Sequence, residues 1–155
     1  GILRAIHLAE DTLKRAGNAR PSIAVAALNP HAGDHGKFGR EEIDIITPAI
    51  EACQRQQMDV SGPWPSDTVF LKARRGEVDA VVTMYHDQGQ IAIKLMGFER
   101  GVTVAGGLPI PIATPAHGTA FDIAGQNKAN VSAIRQAFDL LLRMARTHSD
   151  NKKSA

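Results

Sequence analysis

The chain has 155 residues, 43% apolar and 22% charged, with a formal net charge of +2. That composition describes an ordinary globular protein long enough to bury a real core. It argues against nucleic acid as a partner, because no long basic run occurs and aromatics, at 5%, are too sparse for base stacking. No apolar stretch approaches membrane-spanning length, so no membrane partner is expected; the lone Cys53 allows no internal disulfide and suits a reducing cytoplasm.

In chain order, "GILRAIHLAEDTLKRAG" predicts an amphipathic helix with Ile2, Ile6, Ala9 and Leu13 on one face. It begins without a Met or a cap, which reads as the C-terminal portion of something longer. Gly17 ends the helix, and a strand follows over 22–28. The loop 29–39, "NPHAGDHGKFG", places His31 directly after that strand, with His35 as a competitor nearby. Its glycines, Gly33, Gly36 and Gly39, have neither the dinucleotide spacing nor the ending of a phosphate-binding loop. A helix over 40–56 carries Glu41, Glu42 and Asp44 near its N-terminus, where the macrodipole favours them, and Pro48 kinks or breaks it. An extended segment, "MDVSGPWP", precedes a helix, "SDTVFLKARRG", with Ser66 or Asp67 as cap.

A strand over 79–85 then runs into "HDQGQIAIK". Turning the chain there needs no His-Asp-Gln cluster, and the carboxyl end of a parallel strand is where open α/β sheets place ligands. His86 therefore joins His31 as a candidate metal ligand: imidazoles at two strand ends can bind a divalent ion, although a catalytic site usually has a third protein ligand. Asp87 either orients the His86 ring or caps the helix over 87–96. Lys94 lies about two turns further on. A strand over 101–105, an irregular or edge strand in "LPIPIATP" and a loop holding His117 follow. A final amphipathic helix over 131–146 is expected to bury Ile134, Phe138, Leu141 and Ala145; His7 and His148 are set aside. The alternation of strand and helix implies an α/β domain over 1–147, with a mainly parallel sheet in α/β/α layers, and a polar tail over 148–155.

Taken together, "ALNPHAGDHGKFGREEIDIITPAI", "GPWPSDTVF", "DAVVTMYHDQGQIAIKLMGFERGV" and "HGTAFDIAGQNKA" resemble, in order and spacing, the C-terminal half of the 4-hydroxythreonine-4-phosphate dehydrogenase family over residues 3–144. The resemblance implies a fold similar to the isocitrate and isopropylmalate dehydrogenases, NAD or NADP as cofactor, a divalent metal (zinc, magnesium or cobalt), and a homodimer with the site at its interface. It implies His31 and His86 as metal ligands, a third ligand outside this chain, and Lys94 as a substrate-binding lysine. Beside these, Lys94 and Asp87 are the candidate catalytic residues, and Thr103 and His117 join Lys94 as candidate contacts to an anionic hydroxy-acid substrate. Two positions depart from the biosynthetic pattern. Thr103 stands where the family's "G-V-N" has Asn, and Ile112 where an Arg follows "G-L-P".

The expected reaction is metal-assisted NAD(P)-linked oxidation of a hydroxy acid, with or without a following decarboxylation. The alternatives are a non-catalytic dimerising fragment, or a paralogue acting on another phosphorylated hydroxy acid or an aromatic-acid cis-dihydrodiol. A metallohydrolase is disfavoured, since no H-E-x-x-H motif occurs.

Overall fold

The structure, a computed structural model, describes residues 1–97 and 100–153, with side chains through residue 147. It divides into two compact units: residues 1–14 with 18–90, and residues 15–17 with 91–155.

In the first unit, three parallel strands lie in the order β2 (Val60–Trp64), β1 (Ile23–Ala26), β3 (Ala80–Val82). Central β1 has every residue fully buried, as its continuous apolar run requires when both faces are covered. Successive side chains point to opposite faces. Ile23 and Val25 therefore join Ile6 of α1 (Ile2–Arg15) and Ile50 and Cys53 of α2 (Thr47–Arg55) in one cluster. Ala24 and Ala26 join Val69 of α3 (Val69–Arg74) in the other. Ile2, Ile6 and Ala9 anchor α1 as its periodicity predicts, and each fully buried aliphatic side chain contributes roughly 1.5–3 kcal/mol.

The expected continuous helix over 40–56 is instead a π-helical turn, Glu42–Ile46, followed by α2. Pro48 lacks an N–H and cannot bond back to Asp44, so the regular ladder is interrupted where the π turn meets α2. At the start of α3 the cap position is Thr68, without a side-chain cap bond, in place of Ser66 or Asp67.

In the second unit, β4 (Val102–Ala105) pairs antiparallel with β5 (Ile112–Pro115), forming a separate two-stranded sheet. This corrects the expectation of a mainly parallel sheet in α/β/α layers across the whole domain. After β4 the chain turns back through Gly106, Gly107 and the prolines without a crossover helix, and only antiparallel neighbours can be joined so directly. Helix α5 (Ser132–Lys153) packs on this ribbon. Its buried residues are Ala133, Ala137 and Met144, whereas Ile134, Phe138 and Ala145 are exposed. The predicted face was therefore displaced: Ala133 and Ala137 allow close approach to the ribbon beside Met144, Leu141 is half-buried, and Ile134 and Phe138 point away. The helix backbone runs through 148–153 of the expected tail. The side chains there, together with Ser154 and Ala155, lie outside the described residues.

Candidate functional site at the strand ends

Two neighbouring strands, β1 and β3, each deliver a histidine at the carboxyl end, within the first unit. Their exits are tied together by Gln88: its Nε2 donates to the Ala27 carbonyl at 3.0 Å and its Oε1 accepts from the Met84 N–H at 2.9 Å. One amide side chain thus satisfies backbone groups at both strand exits, a role the sequence does not announce.

His86 opens α4 (His86–Gly97), and its Nδ1 lies 2.8 Å from Asp87 Oδ1. A carboxylate can only accept, so Nδ1 is the donor, and a neutral ring then keeps its lone pair on Nε2. Both side chains are exposed, so the pair contributes little to stability. Its consequence is chemical: it selects the tautomer suited to metal ligation through Nε2.

His31 sits in a tight turn, Pro30–Gly36, whose residues His31, Ala32, Gly33, Asp34 and His35 all have left-handed backbone, with φ between 40° and 80°. Left-handed geometry costs an L-residue roughly 1–2 kcal/mol, and four of these five carry a Cβ. Something must hold the turn. The sequence placed Glu42 at a helix dipole; the structure buries it, 3% exposed. Glu42 Oε1 accepts the Leu28 and Asn29 backbone N–H groups, both at 2.8 Å, and Oε2 accepts Asn29 Nδ2 at 2.9 Å. Asn29 Nδ2 also donates to Glu41 Oε2 at 2.6 Å. Burial pushes the Glu42 carboxyl upward, but the bonds from Asn29 and the backbone outweigh it and hold the group below its ordinary value. Asp44, expected beside Glu42 as a dipole partner, is bonded to Arg40 at 2.9 Å. The His31 ring lies against Phe38, with centroids 6.0 Å apart.

Lys94 is exposed on α4. In the second unit, Thr103 and Ile112 lie on the same exposed face of the ribbon, where Thr103 pairs with Thr114 and Ala105 with Ile112. His117 is exposed and its Nδ1 donates to the Gly118 carbonyl at 2.9 Å. Among the described residues no group of three or more His, Cys, Asp or Glu is arranged to hold a metal, and no helix is long and apolar enough to cross a membrane. The Cys53 thiol is pushed up by burial and by the Glu10 charge, which makes it a packing group rather than a nucleophile.

The family model described as "Pyridoxal phosphate biosynthetic protein PdxA" matches residues 1–141. A provisionally assigned 4-hydroxythreonine-4-phosphate dehydrogenase 2 of Pseudomonas aeruginosa is 66% identical over 145 residues, covering 92% of this chain and 43% of that protein. A D-threonate 4-phosphate dehydrogenase of Salmonella typhimurium is 50% identical over 140 residues, covering 90% and 43%. The crystal structure of a 4-hydroxythreonine-4-phosphate dehydrogenase from Klebsiella pneumoniae superposes with a TM-score of 0.80 at 46% identity, covering 93% of this chain and 44% of that one. The chain thus spans less than half the length of the relatives it matches.

These matches overturn two expectations. The likeness was expected to concern a C-terminal half only, yet it takes in residues 1–141, nearly the whole of this chain. The fold was expected to be isocitrate/isopropylmalate dehydrogenase-like and a C-terminal portion of a two-domain protein; what is shown is an α/β fold of this family's own type across nearly the whole chain. From the left-handed histidine turn to the ribbon, the chain belongs to the family of the pyridoxal phosphate biosynthetic protein PdxA.

Proposed function

We propose that this chain carries part of the site of an NAD(P)-linked dehydrogenase that oxidises a secondary alcohol of a phosphorylated hydroxy acid with the help of a divalent metal. Family membership carries the reading, supported by His31 and His86 at the ends of hydrogen-bonded neighbouring strands. The donor chemistry fits such an ion in part: two imidazoles, one with its Nδ1–H engaged by a carboxylate, and at least one further ligand needed beyond them. When bound, the ion supplies Lewis acidity at the substrate hydroxyl and the nicotinamide accepts the hydride. His31 and His86 bind through imidazole nitrogen, Asp87 keeps the His86 tautomer, and Lys94 neutralises an anionic group of the substrate. Thr103, which stands in place of the family's Asn, and His117, in the loop after the ribbon, are assigned to substrate contact. In a β-hydroxy acid, the ketone formed is the electron sink for losing CO2.

We assign the working form to a homodimer with the site at its interface, in a reducing cytoplasm. Exposed apolar residues of the second unit, Ile134, Phe138 and Leu142 on α5, support self-association; the buried free Cys53 is compatible with the compartment.

The substrate reading rests on Thr103 and Ile112. An Ile at 112 offers neither the charge nor the donors of an Arg, so a phosphorylated hydroxy acid other than 4-phosphohydroxythreonine is the proposed substrate. The relative named for D-threonate 4-phosphate favours this choice. The test is NAD(P)+ reduction by the native gene product, metal-depleted and metal-restored, on both acids. Activity that requires metal and falls by at least a hundredfold in His31→Ala and His86→Ala is expected. Ile112→Arg should gain about one to two orders of magnitude in kcat/KM on 4-phosphohydroxythreonine, the worth of a charge-assisted hydrogen bond. Undiminished turnover in both histidine variants refutes the metal assignment. An existing preference for 4-phosphohydroxythreonine, unimproved by Ile112→Arg, refutes the substrate assignment alone.

A further inference from the structure

We propose that Glu42 is a positioning residue for His31: its buried carboxylate clamps the exit of β1 to the left-handed turn and so sets how the imidazole is presented. The consequence for metal binding rests on the reading of His31 as a ligand; the conformational claim does not.

Three observations converge. First, Glu42 is buried with no cation in an ion pair with it among the described residues; its oxygens are met instead by the Leu28 and Asn29 N–H groups and by the Asn29 amide. A buried carboxylate satisfied by neutral donors is costly to maintain merely to fill space, since an apolar residue would do that without desolvating a charge. A carboxylate, however, has two acceptor oxygens and no donor. One oxygen takes two successive backbone N–H groups just past β1, while the other takes the side chain of Asn29, the residue before Pro30.

Second, the same oxygen reaches the turn itself. A Cβ built on Gly33 would lie 2.7 Å from Glu42 Oε2 and 3.0 Å from the Gly39 carbonyl. Gly33 is buried, two residues after His31, and is the one residue of the left-handed run without a Cβ. The clamp thus packs against the middle of the turn as well as bonding its entry. Third, four residues with side chains are held in left-handed backbone, His31 among them. Such a run persists only when its surroundings over-determine it. Glu42 is the residue that bonds the turn's entry and contacts its centre.

The experiment uses the 155-residue chain, isotope-labelled, as wild type, Glu42→Ala and Glu42→Gln. Backbone chemical shifts of residues 31–35 report the turn, and paramagnetic broadening of the His31 and His86 ring resonances by Co(II) reports binding. In Glu42→Ala the left-handed shifts of 31–35 should vanish while β1 keeps its own. Broadening of His31 should then need at least tenfold more Co(II), with His86 within about twofold of wild type. The Gln variant keeps one acceptor oxygen for the two backbone donors but turns its NH2 toward Asn29 Nδ2, so an intermediate change is expected. Unchanged 31–35 shifts in Glu42→Ala overturn the proposal. Should that variant be unfolded by circular dichroism, unchanged 31–35 shifts in Glu42→Gln overturn it equally. If Co(II) broadens neither histidine of the wild type, the metal reading fails, and the turn shifts decide the positioning claim alone. If the shifts move but Co(II) binding at His31 does not weaken, Glu42 is merely structural and the positioning role is refuted.

Discussion

Replacing Gly33 by Ala tests the packing of the histidine turn against Glu42. Two costs are separable. Gly33 has φ +80°, where a Cβ is penalised whatever the space around it. That penalty, roughly 1–2 kcal/mol, is partly offset by about 0.4–1 kcal/mol from the stiffer unfolded chain. The second cost is contact: the new methyl would lie 2.7 Å from Glu42 Oε2 and 3.0 Å from the Gly39 carbonyl, the first closer than real Cβ atoms come and the second tighter than nearly all of them. Relieving it requires a shift of the clamped carboxylate or of backbone, at about 1–3 kcal/mol for overpacking. Gly76 is the internal control, because its φ is +73° and a Cβ there meets nothing within 4 Å. Gly76→Ala should therefore cost about 1 kcal/mol and Gly33→Ala about 3 kcal/mol, the difference being the contact. Urea denaturation of both variants beside wild type measures it, with unchanged m-values confirming that folded and unfolded states are comparable. If Gly33→Ala costs no more than Gly76→Ala, the turn is not packed on Glu42 and the reasoning fails.

Glu42 should also shape the acid limb of stability. Its folded-state pKa is lowered, so its contribution is complete above the unfolded carboxylate value of about 4.3 and is lost as pH falls through the folded value. In denaturation midpoints followed from neutral to acid pH, Glu42→Gln should show a shallower loss below about pH 4.3 than wild type; parallel curves would contradict the assignment. Ile6→Ala, at a fully buried position joining α1 to the sheet, should cost about 2–5 kcal/mol, and a loss under 1 would mean that α1 is not anchored there. Gln88→Ala frees the Met84 N–H and the Ala27 carbonyl, and should cost about 1–3 kcal/mol with faster exchange of the Met84 amide; unchanged exchange would exclude the bridge. Phe138→Ser, at a residue 64% exposed, should change the stability of the dilute monomer by about 0.5 kcal/mol or less, whereas a core Phe would cost about 3–5.

Much of the layout was legible in the residues because it rests on local periodicity. The Ile2, Ile6 and Ala9 stripe, the apolar run of β1 and the strand before His86 each report a short-range pattern whose burial follows from its period. The positions of His31 and His86 after their strands were legible for the same reason.

What the sequence by itself could not determine was pairing at long range. Whether 101–105 joins the parallel strands or folds back on 112–115 depends on which edge captures it, and no local period encodes a partner. On α5 the apolar residues are broad enough to support two faces; the ribbon chose Ala133, Ala137 and Met144, leaving Ile134 and Phe138 outward. Glu42 is the sharpest case. A glutamate at the start of a helical stretch reads as a dipole complement, because that is what its neighbours in sequence can offer. Its actual partners, Leu28 and Asn29, lie 14 and 13 residues away and meet it only once β1 and the turn have folded together. Periodicity belongs to the chain, whereas the satisfaction of a buried carboxylate belongs to the tertiary structure, since it takes donors from separate segments brought to within hydrogen-bond distance.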